Sequence, residues 1–519
     1  MNSAQSLYTK MESQRFSFLE RARDCSRLTL PTVVPDEGHG PTQKFITPFQ
    51  GVGARGVNNL ASSLLLSLLP PNAPFFRLVL DDQALRQIEG IPEVKTEIER
   101  SLSDIEKAVM KEVETNNVRV SLFEALKHLI ISGNCLMHFP TDGGVRVFPL
   151  ARYCVNRDPM GNPLKIITKE SVSPDALPEE MLASVGATNA NTDGSVDLYT
   201  CIHKRPDSKW EVYQEVGGSE VPGSRGTFAD DKLPYLPLRM YKVEGENYGR
   251  SYVEQYLGDL KSLEGLTQAI VEGAAAASKI LFMVSPNGTT RARTLAKSPN
   301  GSIVEGSAAD VTVLQSQKSA DLSIAASTAQ TITDRLAYAF LLTEGTIRQA
   351  ERVTAEEVRL VTQSIERQLG GAFSLLSQEL QLPLVNRMMS ALQKKKKLPK
   401  LPKKYIQPAI ITGIEALARG SDLNRLDFFL QGMAQTVGPE AIAQYVNLGE
   451  YIKRRATALG IDTQGLIKTE EQLMAEMQQA QQDAVVQQYG GQVMDIASKQ
   501  FSDAQKIDAD MAKEMVKNG

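Results

Sequence analysis

The hydrophobic period changes twice along this chain, and that change constrains the fold more than any single motif does. Residues 4–27 carry Leu7, Met11, Phe16 and Leu19 near helical spacing, with Pro31 beyond the end. A second helix is expected from Gly51 to Leu69, stopped by Pro70-Pro71, and helical periodicity returns over 92–132. From about Cys135 to Val243 apolar and polar residues alternate instead. GVRVFPL, LKIITKE, VDLYTCIHK and KWEVYQEV, separated by Gly, Pro, Asn and Asp, predict antiparallel strands. After Gly249 the helical period resumes, with Val253, Tyr256, Leu260, Leu263, Leu266 and Ile270 on one face. The fold class is therefore α+β: mainly helical, with one β-rich portion.

The first of these late helices ends in small residues, Gly273 to Ser278. A compact insert follows, with two Pro-Asn-Gly turns between short strands, and then another helix from about Asp321 to Glu344. A break at GTIRQAER precedes a long helix from Thr354 to about Leu392. Its start has capping-box form, Thr354 with Glu357, and at 1.5 Å per residue it extends roughly 55 Å, kinked at Pro383. Past Gly420 the pattern is helical throughout and turns Gln-rich from Thr469.

Composition limits the functions open to such a chain. Its 519 residues correspond by length to roughly three domains. At 42% hydrophobic and 23% charged it is ordinary globular material. A net charge of −4 gives no global basic field for holding DNA, so any nucleic-acid contact is local or weak. The four cysteines, Cys25, Cys135, Cys154 and Cys201, are far apart and read as reduced, buried thiols of an intracellular protein. Met1 to Lys10 is polar, unlike a signal peptide, and LASSLLLSLL is too short to span a bilayer. These features predict a soluble cytoplasmic product without stable membrane contact.

Gly51, Gly53 and Gly56 spell G-x-G-x-x-G, with Asp81 and Asp82 downstream, which are the parts of a dinucleotide-binding turn. Such a turn follows a buried parallel strand, whereas the preceding PTQKFITPFQ is polar and interrupted by Pro41 and Pro48. Gly53 and Gly56 equally allow a neighbouring element to approach the helix closely, with no ligand involved. No phosphate-binding loop, H-E-x-x-H or G-x-S-x-G occurs, so neither an ATP-driven motor nor a hydrolase is indicated. His39, His128, His138 and His203 are scattered, which disfavours a metal site, and no cofactor is expected. The basic run QKKKKLPKLPKK, Gln393 to Lys404, lacks aromatics and reads as an exposed connector rather than a DNA contact.

The order of these pieces resembles the portal (head-to-tail connector) family of tailed bacteriophages. GARGVNNLASSLLLSLLPPNAPFFRL, ENYGRSYVEQYLGDLKSLEGL and ERVTAEEVR resemble the connectors of short-tailed phages in particular. The resemblance covers essentially the whole chain. It implies a non-enzymatic dodecameric ring around an axial channel at one capsid vertex, within the virion and assembled in the host cytoplasm. It further implies an N-terminal wing over 1–250, a first stem helix over 251–278, a clip over 279–319 and a second stem helix over 320–344. A tunnel loop over 345–353, the long wing helix with its return connector over 354–419, and a crown with C-terminal extension over 420–519 complete it. Implied partners are terminase, tail adaptor and tail proteins, major capsid and scaffolding proteins, internal core proteins at the crown, and double-stranded DNA read without regard to sequence.

On this mapping, Arg348 and Arg352 in the break are the DNA-channel residues, with a salt bridge to Glu344, Glu351 or Glu356 as the structural alternative. Arg291, Arg293 and Lys297 form a small basic docking face on the clip. Ala275 and Ala276 lie where stem helices of adjacent subunits pack. Two other readings compete: an NAD-type oxidoreductase using the Gly51 turn, and a monomeric helical scaffold or adaptor that would form no closed ring.

Overall fold

A computed structural model describes residues 3–40, 42–70, 74–80, 92–140, 143–177, 194–277, 281–314, 319–342, 368–398, 406–410 and a few positions between 429 and 452. The chain divides into two compact units, Met1–Glu415 and Ala416–Gly519. In the second, the described positions 429–433, 435–436 and 451–452 are helical. Every element below belongs to the first.

Helix α1 (Ala4–Arg27) begins at Ser3, whose hydroxyl accepts from the Ser6 amide at 3.2 Å as an N-cap. Its buried stripe runs through Tyr8, Met11, Arg15, Leu19 and Ala22. Phe16, expected on that stripe, is 55% exposed; one residue past Arg15 is about 100° around the helix and faces solvent. Helix α2 (Val52–Leu68) ends before Pro70, and the 92–132 period resolves into α3 (Pro92–Thr115) and α4 (Val118–Ser132). They part at Asn117, which holds a left-handed φ of 51° that asparagine tolerates.

The alternating region forms antiparallel sheets, as expected. β2 (Asn134–His138) lies between β3 (Arg146–Phe148) and β10 (Tyr235–Arg239). A six-stranded sheet takes the order β4 (Tyr153–Arg157), β5 (Pro163–Val172), β6 (Val196–Lys204), β7 (Trp210–Val216) and β8 (Ser219–Glu220), with β9 (Gly226–Phe228) also on β7. β1 (Phe76–Leu80) pairs with β13 (Ile406–Ile410), so that Phe76 stands opposite Ile410. Every ladder among the described residues is antiparallel.

From Ser251 the chain becomes a helix pair with a tip. The pieces are α5 (Leu257–Ala277), β11 (Leu281–Val284), α6 (Ala292–Lys297), β12 (Val311–Leu314) and α7 (Ser319–Ala339). The chain is helical again from 368, passes through a π turn at Ser377–Gln381 and continues as α8 (Leu382–Lys394). The π turn stands where a kink at Pro383 was expected. Proline offers no N–H to the carbonyl four residues back and its ring crowds that carbonyl, and the wider turn accommodates both. The Thr354 capping box lies outside the described residues.

One main core joins α2, α4, the three-stranded sheet, the base of the α5–α7 pair and α8. A second, smaller cluster puts Ala4, Tyr8 and Met11 of α1 on Cys154, Ile167, Tyr199 and Cys201 of the large sheet. All four cysteines are free and buried. Burial raises the Cys25 thiol to about 12 and Cys154 to about 11, so both stay protonated at neutral pH.

Candidate functional site

The helix pair α5–α7 is anchored at its base by residues from far along the chain. Entry is fixed at Gly249, where any side chain would overlap the Gly133 and Tyr241 carbonyls at 2.8 and 2.9 Å. The Asn134 side chain accepts from the Gly249 amide at 2.7 Å and donates to its carbonyl at 2.8 Å, mimicking a strand partner. Tyr252 donates to the Ala339 carbonyl at 2.5 Å and packs edge-on to Phe340, which also meets Tyr256.

The C-terminal end of α7, at this base, is closed by a motif the sequence does not advertise. Leu341 takes a left-handed φ of 59°, its amide bonds Tyr338 and the Leu342 amide reaches back to Ala337 at 2.8 Å. That is a Schellman end with leucine in glycine's usual place, at a cost of about 1 kcal/mol. The helix therefore stops at Ala339, short of the expected Glu344. Asn59 of α2 donates to the freed carbonyls of Phe340 at 3.1 Å and Leu341 at 3.0 Å, satisfying a helix end that would otherwise be buried unpaired.

This explains the glycine motif. A Cβ on Gly56 would lie 2.5 Å from the Phe340 ring, and one on Gly53 would lie 2.4 Å from the Leu28 carbonyl. Gly51 has open space. The amide of Gly53 is taken by the Gln50 side chain at 2.9 Å, and the amides of Phe49 and Gln50 go to the two oxygens of Glu264 on α5. The Gly53 amide that a pyrophosphate would need is already taken within the chain, and no parallel strand precedes the motif among the described residues. Gly53 and Gly56 serve helix packing, and the oxidoreductase reading is not supported. Asp81 and Asp82 lie outside the described residues.

Above its base the helix pair leaves the core. On α5 only Leu260 and Leu263 are buried, and on α7 only Ala329, Ile332, Leu336 and Ala339 among the described residues. Asp259 meets Arg335 at 3.0 Å, and Gly273 lies close under Leu322, so the two contacts share one antiparallel register about 20 Å apart along the axis. Gly273 thus admits the partner helix of the same chain. Ala275 and Ala276 lie on exposed surface of α5, as do Val271 and, at the matching level of α7, Ile324.

Among the tip residues whose burial is described, no apolar side chain is buried. β11 and β12 form an antiparallel hairpin with Leu281 opposite Leu314, yet Phe282 is 63% and Ile303 102% exposed. Of these tip residues only Thr290 is buried, bonded to Ser307, while Asp310 accepts from the Thr289 hydroxyl and the Thr290 amide. Between the two Pro-Asn-Gly turns stands α6 rather than more strand. Arg291, Arg293 and Lys297 are all exposed there, with Arg293 and Lys297 one turn apart on one face. Arg348 and Arg352, with Glu344, Glu351 and Glu356, lie outside the described residues.

Two further charged sites are paired within the fold. Lys395 of the basic run pairs with buried Glu112, which holds that carboxyl below its usual range, in keeping with a connector. His203 pairs with Glu211 at 3.3 Å, and no metal-ligand group occurs among the described residues. No helix among them is long and apolar enough to cross a membrane.

Residues 1–467 match the family described as bacteriophage head to tail connecting protein. The chain belongs to that family. Its relatives among head-to-tail connecting proteins include the portal protein of Escherichia phage T7, 40% identical over 92% of this chain and 90% of the relative. The portal protein of Enterobacteria phage T3 is 39% identical over the same shares, and that of Enterobacteria phage SP6 is 31% identical over 92% and 93%. A solved chain titled as the neck of an empty GTA particle aligns over 80% of this one with a TM-score of 0.39. Membership of this family places the chain with the portal proteins of the head–tail junction, in a structural role.

Proposed function

We propose that this portal protein closes into a dodecamer whose axial channel passes double-stranded DNA into and out of the head without reading sequence. The observation that carries this is the helix pair that leaves the core and ends in a tip exposing large apolar side chains. A two-stranded hairpin with exposed Phe282, Met283 and Ile303 is marginal alone in water and needs neighbours. On this reading α5 and α7 lie in the two stem segments, 251–278 and 320–344, and the tip is the clip, 279–319. Residues 1–250 and 354–419 form the wing, 345–353 the tunnel loop and 420–519 the crown.

Val271 and Ile324, exposed at one level of the pair, become subunit contacts, as do Ala275 and Ala276, whose small side chains let helices approach closely. Arg348 and Arg352 touch passing phosphates. Arg291, Arg293 and Lys297 offer terminase, and later the tail adaptor and tail proteins, an exposed basic face. The crown meets internal core proteins, while capsid and scaffolding proteins assemble around the wing in the host cytoplasm. A net charge of −4 suits a conduit along which DNA slides without adhering.

The test is to assemble heads with and without the chain and measure enclosed DNA and tail attachment. Charge reversal at Arg291, Arg293 and Lys297 should leave rings intact and weaken attachment. Heads that fill and acquire tails without the chain would refute the proposed function.

A further inference from the structure

The segment just before α2, residues 42–49, is held in place yet lies largely exposed. Thr42 to Thr47 are exposed throughout, with Ile46 at 89%, and Phe49 is half exposed. Among the described residues the backbone of Lys44 to Thr47 joins no ladder and makes no hydrogen bond within the chain. Such a stretch would ordinarily be loose, because nothing compensates its ordering. Here both ends are fixed. Gln43 bonds Gly40 in both directions, and the Phe45 ring stacks on His39 at 4.0 Å. At the other end Glu264 accepts from the Phe49 and Gln50 amides at 2.9 and 3.2 Å, and buried Gln50 bonds Leu28 and Gly53.

The result is a strap outside regular secondary structure, presenting open amides, open carbonyls and the apolar groups of Phe45, Ile46 and Phe49. Lys44 is its only charged residue, which is poor equipment for a phosphate backbone. Two arguments point to what covers it. On the proposed reading the chain is a subunit of a closed ring, and a cyclic contact buries two different patches on every subunit against identical copies. The strap is also tied through Glu264 to α5, the helix that exposes Val271 on the pair assigned to subunit packing.

We infer that residues 42–49 are an intersubunit strap, laid against the neighbouring copy of this chain and pairing its open backbone and apolar side chains there. The inference rests on the ring. It adds that ring closure depends on a segment preceding α2, well before the helix pair in sequence. Docking of a segment through its open main-chain groups and apolar side chains is an established mode of recognition, and fixing both ends beforehand lowers the ordering cost of association.

The four native thiols are buried, so a cysteine placed in the strap is the accessible one. The experiment labels full-length Ile46→Cys with a maleimide in isolated rings and in the same protein dissociated to monomer. Labelling should slow by roughly tenfold or more in the ring and be fast in the monomer. In parallel, Ile46→Asp should lower the ring fraction at equal concentration by roughly tenfold or more, with an unchanged monomer circular dichroism spectrum. Rings that form normally with Ile46→Asp, and whose Ile46→Cys counterparts label freely at the introduced thiol, would overturn the strap while leaving the ring standing. Protection already in the monomer would assign the cover to the chain itself, and protection only in whole heads would assign it to another protein; either overturns the inference. Wild-type protein that forms no ring would instead fail the portal reading beneath it.

Discussion

Replacing Gly56 by alanine should destabilise the chain by about 2 kcal/mol, against the usual effect of this substitution in a helix. Alanine normally gains about 0.8–1 kcal/mol over glycine at an interior helical position. Here the new methyl would lie 2.5 Å from Cγ and 2.8 Å from Cβ of Phe340. Those atoms are the root of the side chain, so rotation about its bonds does not clear the overlap, and the α7 end must move. That end is held by Tyr252 on the Ala339 carbonyl and by Asn59 on the next two. Overpacking a well-fixed site costs typically 1–3 kcal/mol, and the fixed surroundings put this case at the top of the range or slightly above. The assay is the denaturant midpoint at fixed protein concentration, with Gly51→Ala as the control. Gly51 has open space, and its substitution should stay within about 0.5 kcal/mol. Phe340→Ala should also cost at least about 1 kcal/mol less in the Gly56→Ala background than alone. A Gly56→Ala protein as stable as wild type, or strict additivity with Phe340→Ala, would refute the packing account of the motif.

Three further expectations can be checked by simpler measurements. Glu379 accepts from the Arg239 amide and guanidinium and lies 3.9 Å from Arg157, with both arginines nearly fully buried; Glu379→Gln should therefore cost roughly 3 kcal/mol in the denaturant midpoint, because it strands two buried cations. Burial pulls His128 and His138 down to about 4, with Arg146 and Arg387 adding to the effect on His138. Unfolded imidazoles titrate near 6.5, so stability should be full above about pH 6.5 and fall steadily towards pH 4, and a flat midpoint across that window would contradict it. Ala275→Leu with Ala276→Leu should reduce ring yield on size-exclusion chromatography while leaving helicity unchanged, and normal yield would place these residues away from the subunit contact.

What the sequence disclosed was local. The alternation in VDLYTCIHK and KWEVYQEV requires strands, and the spacing of Val253, Leu260 and Leu263 requires a helix buried along one stripe at its base. Glycines at 53 and 56 declared close approach without saying what approached, since Leu28 and Phe340 come near only on folding. The hidden features are pairings across long separations or conformations that contradict propensity. Asn59 reads as an unremarkable helix residue until Phe340 and Leu341 are brought to it. Leu341 in a left-handed conformation is the choice propensity argues against, so the end of α7 at Ala339 could not be read from LAYAFLLTEG. Residues 42–49 looked polar and broken, and their role depends on Glu264, more than two hundred positions away. Helical spacing alone placed Phe16 inward, because a period near 3.6 does not choose between adjacent residues at the edge of a stripe.

The central claim is most directly tested by electron microscopy of the purified full-length protein, unstained and without imposed symmetry. The account predicts closed rings with an axial opening wide enough for a DNA duplex, built from copies of this chain alone and dodecameric. Monomers or open, irregular assemblies at concentrations where the protein is folded would contradict it.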